Sequence, residues 1–329
     1  MASQNQFLGD LFEGFLDQGV KQSEGQFFTP MPIVKFLISA LPLENLIKNS
    51  VEIPKAIDYA CGAGHFLNEY AHQIKPFVEA HKADEIANYY AEITGIEKEY
   101  RLSKVAKVSA FMYGQDEIKI IYSDALAHNQ SIKDKSYSVL VANPPYSVKG
   151  FLETLSEKER NRFELINAID TKQIISNNSI ETFFIERAKQ LLKSGGVAAI
   201  ILPSSILSNG NIYIKSREII LKYFDLLAIA EFGSGTFGKT GTNTVTLFLR
   251  RKTDNPDTAE HLQNRVNAWF KNDFRKDVIF EDSHLMSNYC NHITINAENY
   301  KTLLSGRPDE TLLSTGYVKM KMGVKLNIE

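Results

Sequence analysis

What this sequence has little of narrows the field first. Its 329 residues include two cysteines, Cys61 and Cys290, too few for a disulfide framework or a cysteine-built metal site. No metal is expected. No apolar run approaches the roughly 18 residues that a membrane span needs, so no membrane is expected either. The opening residues, Met1 to Gln6, lack the basic and apolar regions of a signal peptide. The expected location is a reducing cytoplasm. An excess of one charge is also missing: net charge is −2. That excludes a chain-wide basic footprint for nucleic acid, so any DNA surface must be local or supplied by a partner. What remains, 43% hydrophobic and 23% charged, is ordinary globular composition.

One stretch organises the rest: Val139-Leu-Val-Ala-Asn143-Pro144-Pro145-Tyr146. An apolar run, Tyr137 to Ala142, stops at a polar residue and two prolines. That pattern fits a buried parallel strand. Pro144 and Pro145 cannot continue a central strand and fix φ at both positions. A stiff loop at the carboxyl end of a strand follows, where open α/β sheets bind ligands. Asn143 offers a neutral acceptor there, the Pro144 carbonyl a second, and Tyr146 a flat face. Together they suit a planar amino group, with its ring stacked on Tyr146 for roughly 1–3 kcal/mol. A proline-stiffened turn with a buried tyrosine is the plain alternative.

The flanking chain bears on that choice. Phe7, Leu8, Leu11, Phe12, Phe15 and Leu16 recur at helical spacing. Next come Gly25, Gln26, Phe27, Phe28, Thr29 and Pro30. Thr29 can cap a helix that has Pro30 in its first position. Residues 56–67 read as strand, glycine loop and helix, with Asp58, Cys61, Gly62, Gly64, His65 and Phe66 in sequence. Glycines let a backbone approach a ligand, but the full Gly-x-Gly-x-x-Gly pattern is missing, so a phosphate grip is weakly supported. Residues 66–91 are predicted helical, with a break at Pro76.

Glu92 to Ile96 is a second strand leading to Glu97, where such sheets hold a ribose diol. A solvated glutamate in the charged run 97–99 is the rival reading. Tyr100 to Met112 is a helix, and Ile118 to Tyr122 a strand leading to Ser123, Asp124 and Ala125. Alternating strands and helices argue for an α/β, doubly wound sheet with one ligand cleft. Beyond a loop at 147–178, Asn178 and Glu181 are spaced as a capping box before a helix from Thr182 to Leu192, which Gly195 and Gly196 end. Val197 to Leu202 is a strand, Arg217 to Tyr223 a helix, and Leu226 to Phe232 and Val245 to Leu249 are strands. The glycine-rich loop between those last two presents Phe237, whose exposure would be costly without a use. Otherwise that ring tucks into the core. Three regions result: a helical segment at 1–26, a main domain at 27–252, and an extension at 253–329 without a recognisable motif.

The order of Phe27-Phe28-Thr29-Pro30, the loop from Asp58 to Phe66, and Asn143 to Tyr146 resembles the N6-adenine DNA methyltransferases. It is similar to the modification subunit of type I restriction–modification systems and to the methylase part of fused restriction–modification enzymes. The resemblance implies a mostly parallel seven-stranded sheet of the class I S-adenosylmethionine-dependent methyltransferase type. It implies S-adenosylmethionine as donor, with Gln26 to Pro30 at the methionine end and Asp58, Cys61, Gly62, Gly64, His65 and Phe66 beneath it. Glu97 would take the ribose hydroxyls, and Asp124 with Ala125 the adenine. Asn143, Pro144, Pro145 and Tyr146 would hold a flipped adenine, and Phe237 would stack on its second face.

The implied partners are double-stranded DNA, a specificity subunit or fused target-recognition domain, and a restriction subunit. Two features depart from the pattern: Tyr59 stands where many members have proline, and only residues 1–26 precede the Phe-Thr-Pro motif. The rivals are protein glutamine methylation, N4-cytosine methylation, and a non-catalytic cofactor-binding scaffold.

Overall fold

The computed structural model describes residues 29–82, 85–233, 235–237, 242–252, 285–292 and 294–304. The helix expected at 7–16 and residues Gln26, Phe27 and Phe28 lie outside them, as does most of the extension at 253–329. The chain divides into two compact units, 1–256 and 257–329.

In the first unit, helices α1 (Met31–Ser39) and α2 (Leu43–Asn49) precede β1 (Ala56–Asp58), α3 (His65–His81), α4 (Ile86–Ala91), β2 (Ile93–Glu97), α5 (Tyr100–Met112), β3 (Lys119–Tyr122) and β4 (Tyr137–Ala142). After several short turns, including α6 (Glu157–Arg160), come α7 (Ile180–Leu191), β5 (Leu192–Pro203), α8 (Ile212–Tyr223), β6 (Phe224–Phe232) and β7 (Thr244–Arg251). The second unit carries α9 (Leu285–His292) and α10 (Ala297–Leu304).

The seven strands form one sheet in the order β3-β2-β1-β4-β5-β7-β6. β7 alone runs against its neighbours, antiparallel to both β5 and β6. Side chains alternate across a strand, and the core divides accordingly. Leu140 and Ala142 of β4, with Ala198, Ile200 and Leu202 of β5, join Phe183, Ile185 and Ile220 from α7 and α8 on one face. Val139 and Val141, with Ala199 and Ile201, join Val34, Leu37, Leu67 and Ala106 from α1, α3 and α5 on the other. Burial on both faces is what a parallel α/β sheet demands, and it explains the continuous apolar runs of β4 and β5.

Several local expectations change. Pro30 occupies the N-cap of α1, and no side chain caps that helix; the Thr29 hydroxyl is used elsewhere. Pro76 lies inside α3 without ending it. The expected capping box before α7 does not form. Ser179 is the N-cap, without a side-chain bond, and the Glu181 carboxylate turns inward. Gly195 and Gly196 lie within β5, which starts at Leu192. The register shifts between Tyr137↔Leu192 and Val139↔Val197, and Gly195 (φ 77°) absorbs the irregularity as glycine can.

Candidate active site

The carboxyl ends of β3, β2, β1 and β4 lie side by side, and each delivers one polar residue to the same end of the sheet. The glycine loop after β1 shows what kind of site this is. Ala60 N–H donates to Asp58 Oδ1 (3.0 Å) and Gly62 N–H to Glu97 Oε2 (2.9 Å). Cys61 N–H donates to the Ile96 carbonyl (2.9 Å) and Gly64 N–H to the Cys61 carbonyl (2.8 Å). Gly62 (φ 53°) and Gly64 (φ 88°) hold left-handed conformations that make this folding-back possible. These four amides are committed to the protein, so the loop does not offer them to a phosphate as a dinucleotide-binding loop would.

The acidic groups favour a cation instead. Asp58 is 1% exposed, and its Oδ2 is buried without a hydrogen-bond partner. Burial pushes its carboxyl up to about 8, the Ala60 N–H opposes that rise, and the Glu97 charge adds to it. Glu97 is buried rather than solvated. Its Oε1 accepts from Glu99 N–H (2.7 Å), and burial raises its carboxyl above the ordinary carboxylate range. Asp124 Oδ1 accepts from Leu126 N–H (2.9 Å), while Oδ2 pairs with Lys98 Nζ (2.8 Å).

At the end of β4, Asn143 Nδ2 donates to Thr29 Oγ1 (3.1 Å). The Tyr146 hydroxyl donates to Asn143 Oδ1 (2.5 Å). The amide is thus gripped at both ends, and its orientation is fixed. Burial, and then the Glu181 charge, keep the Tyr146 hydroxyl protonated well beyond the usual phenol range.

A cavity of about 490 Å³ connects these ends. Gly62, Glu97, Asp124, Ala125, Asn143, Pro144 and Pro145 line it, together with the exposed rings of Tyr100 and Tyr122. That volume is ordinary for a cofactor site. An acidic rim and flat aromatic surfaces fit S-adenosylmethionine, which carries two cationic groups beside a ribose and a purine; Asp58 lies behind the loop and does not line the cavity.

The other expected residues fall around this cavity. Cys61 and Phe66 turn their side chains into the core. His65 begins α3. Thr29 is buried against Asn143, and Pro30 caps α1. Tyr146 packs on the apolar cluster that includes Phe237, a ring that is 7% exposed. Among the described residues no cluster of His, Cys, Asp or Glu could hold a metal, and no helix is long and apolar enough to cross a membrane.

Sequence reasoning missed Lys98, Glu181 and Arg187. Lys98 also reaches Thr154 Oγ1 (3.4 Å), bridging the ends of β2 and β3 to the turn at 151–154. Arg187 is 1% exposed; its Nε donates to the Ala125 carbonyl (2.9 Å), and its Nη1 pairs with Asp134 (2.8 Å). The available signal was three charges, Glu181, Glu186 and Arg187, set among the apolar residues of a helix that is buried nearly all round. Charges are seldom buried there without partners.

Comparison with known proteins places these features. The N-6 DNA Methylase family profile matches residues 3–299. The EcoEI methylase subunit of an Escherichia coli type I restriction enzyme is 22% identical over 254 residues, covering 76% of this chain and 47% of that protein. The type II methyltransferase M.VspI of Vibrio sp. (strain 343) is 26% identical over 291 residues, covering 88% of this chain and 62% of that one. The chain therefore spans about half to three-fifths of these two relatives. A Listeria monocytogenes structure assigned to the class I S-adenosylmethionine-dependent methyltransferases superposes with a TM-score of 0.56 at 18% identity, covering 76% of this chain and 69% of that one. It shares the seven-stranded, mostly parallel α/β fold. With the family profile spanning most of its length, this chain belongs to the N-6 DNA Methylase family.

Proposed function

We propose that this chain transfers a methyl group from S-adenosylmethionine to the N6 amino group of adenine in double-stranded DNA, as the modification component of a restriction–modification system. The observation that carries the reading is the cavity shared by Glu97, Asp124, Asn143 and Pro144. It sets a nucleoside-sized site against a pair of amine acceptors. Glu97 has lone pairs left for ribose hydroxyls, and Asp124 for a purine amino group. Asp58, buried beneath the loop, is assigned to the cationic end, because a cation beside it favours its charged form. Cys61, Gly64, His65 and Phe66 shape the loop behind it.

Adenine N6 is a poor nucleophile because its lone pair is delocalised into the ring. The Tyr146 hydroxyl fixes Asn143 Oδ1 in place, and that oxygen is assigned as acceptor of one N6–H bond. The Pro144 carbonyl, stiffened by its ring, accepts the second. Two such bonds favour a pyramidal nitrogen and aim its lone pair, which is an orientation effect. When bound, S-adenosylmethionine supplies an electrophilic methyl on sulfur. No strong base is required, because the amine proton becomes acidic once the methyl is attached. Extruding the base costs a few kcal/mol, which stacking on Tyr146 offsets in part. Target choice is assigned to a specificity subunit or a fused recognition domain. The near-neutral charge of this chain supplies little of the phosphate attraction that DNA binding needs.

The test incubates the protein with methyl-labelled S-adenosylmethionine and unmethylated genomic DNA, then identifies the labelled nucleoside. N6-methyladenine is expected. Asn143→Ala should keep cofactor affinity by calorimetry and lose transfer. Label on cytosine or on protein glutamine would overturn the reading, as would transfer undiminished in the variant.

A further inference from the structure

Glu181 is fully buried, and among the described residues no cation pairs with its carboxylate. A buried carboxylate without a counter-charge is expensive, so its hydrogen bonds show what it is kept for. Oε2 accepts from Ser147 N–H (3.1 Å), across 34 residues of chain. Oε1 accepts from the Tyr213 hydroxyl (2.6 Å) on α8.

Ser147 directly follows Tyr146 and sits at φ 55°, a left-handed conformation that residues other than glycine adopt only at a cost. The chain must turn sharply there, one residue beyond the ring that bonds Asn143. A second buried glutamate on α7 makes the contrast clear. Glu186 binds Glu164 N–H and Leu165 N–H (2.6 and 3.0 Å) rather than the Asn143–Tyr146 loop, and has Lys189 at 4.0 Å. Glu181 instead spends an uncompensated charge on the turn that ends the Asn143–Tyr146 loop.

We infer that Glu181 is a positioning residue for methyl transfer. Its carboxylate, steadied by Tyr213, holds the left-handed turn at Ser147 so that Tyr146 and Asn143 stay aimed at the target amine. The inference rests on the transfer reaction proposed above. It involves no contact between Glu181 and cofactor or base, so Glu181 should act on turnover and not on cofactor affinity.

The experiment uses the full chain in its native complex, with unmethylated genomic DNA and S-adenosylmethionine. Glu181→Gln keeps an acceptor for Ser147 N–H, while its NH2 can donate to the Tyr213 oxygen. It should stay within about threefold of the parent in kcat. Glu181→Ala frees the turn, and a displacement of about 1 Å at a catalytic group costs on the order of 100-fold. A loss of that order in kcat is expected, with the KM and calorimetric affinity for S-adenosylmethionine unchanged.

Ser147→Gly holds positive φ without help, so adding it to Glu181→Ala should restore at least about tenfold of the lost rate. A merely structural role moves other readouts: melting temperature, cofactor affinity and rate fall together in Glu181→Ala, and Ser147→Gly restores none of them. That pattern overturns the inference, as does a Glu181→Ala enzyme with parental kcat. No transfer by the parent complex to any adenine is a different failure, one that removes the proposed reaction and this inference with it.

Discussion

Asn143 Nδ2 and Thr29 Oγ1 lie 3.1 Å apart across 114 residues of sequence. The bond joins the start of the first described helix to the loop that ends β4, and it gives the Phe-Thr-Pro motif a physical role. Thr29, expected at the methionine end of the cofactor, has its hydroxyl committed as acceptor to the Asn143 amide. Thr29→Val should therefore leave cofactor affinity nearly unchanged and lower the transfer rate about tenfold, because the amide loses the acceptor that orients its Nδ2. Thr29→Ser, which keeps the acceptor, should restore most of the rate. Weakened S-adenosylmethionine binding with an unchanged saturated rate would place Thr29 on the cofactor instead.

Asp58 gives a pH-dependent test. Its carboxyl rises from an ordinary value of 3.8 to about 8 in the folded chain, chiefly through burial. Between those values the folded state binds the proton that the unfolded state has released. Ligand-free stability should therefore fall as pH rises through that window. A cationic ligand beside Oδ2 reverses the preference, so cofactor affinity should strengthen as pH climbs toward 8. Asp58→Asn should melt higher than the parent at pH 8 without ligand and show a flatter pH dependence of affinity. Parallel pH profiles for parent and variant would remove Asp58 from the cofactor site.

Tyr59 occupies the position where the resembling family often has proline. Its ring packs against Phe184 with centroids 4.9 Å apart, and its buried hydroxyl has no hydrogen-bond partner. An unsatisfied buried polar group costs about 1–3 kcal/mol. Tyr59→Phe should be neutral to stabilising by about 1 kcal/mol, with cofactor affinity unchanged. Lowered affinity without a change in melting would assign the hydroxyl to the ligand.

The strands and cleft were legible because their signals are local. The apolar run from Tyr137 to Ala142 and the helix from Tyr100 to Met112 occur where periodicity and proline breaks put them. Glu97 was placed by its position after a strand, although sequence alone could not separate it from a solvated charge. What stayed hidden depends on distant partners. Glu181 had the local spacing of a cap, yet its carboxylate is bound to residues 34 positions before and 32 positions after it. Gly195 and Gly196 carried a helix-stop signal, but sheet pairing with Tyr137 draws that segment into β5. Thr29 had the chemistry of a cap and is taken by Asn143 instead. In each case a tertiary contact outweighed a local preference worth about 1 kcal/mol.

Phe237 separates two roles for one ring. As the second stacking face for a flipped adenine, it should be available to a ligand. In this structure it is 7% exposed and meets Phe232 edge-on, with centroids 6.2 Å apart. Phe232 in turn meets Phe36 at 6.4 Å, and Phe36 meets Phe248 at 6.3 Å. Edge-to-face aromatic pairs add roughly 0.5–1.5 kcal/mol each to area burial, so withdrawing Phe237 from this chain of rings has a cost. Burial favours the core role. Phe237→Ala should lose about 3–5 kcal/mol, melt early, and weaken transfer to paired and mismatched targets alike. Phe237→Leu should recover much of that stability.

A stacking role predicts otherwise. Phe237→Ala would then melt with the parent, slow most on a paired adenine, and improve when the target is mismatched and cheaper to extrude. Phe237→Trp would also keep part of the activity, since stacking needs a flat face. Melting curves beside a paired-versus-mismatched rate ratio decide between them. An unchanged melting temperature with a raised ratio would move Phe237 from the core to the base.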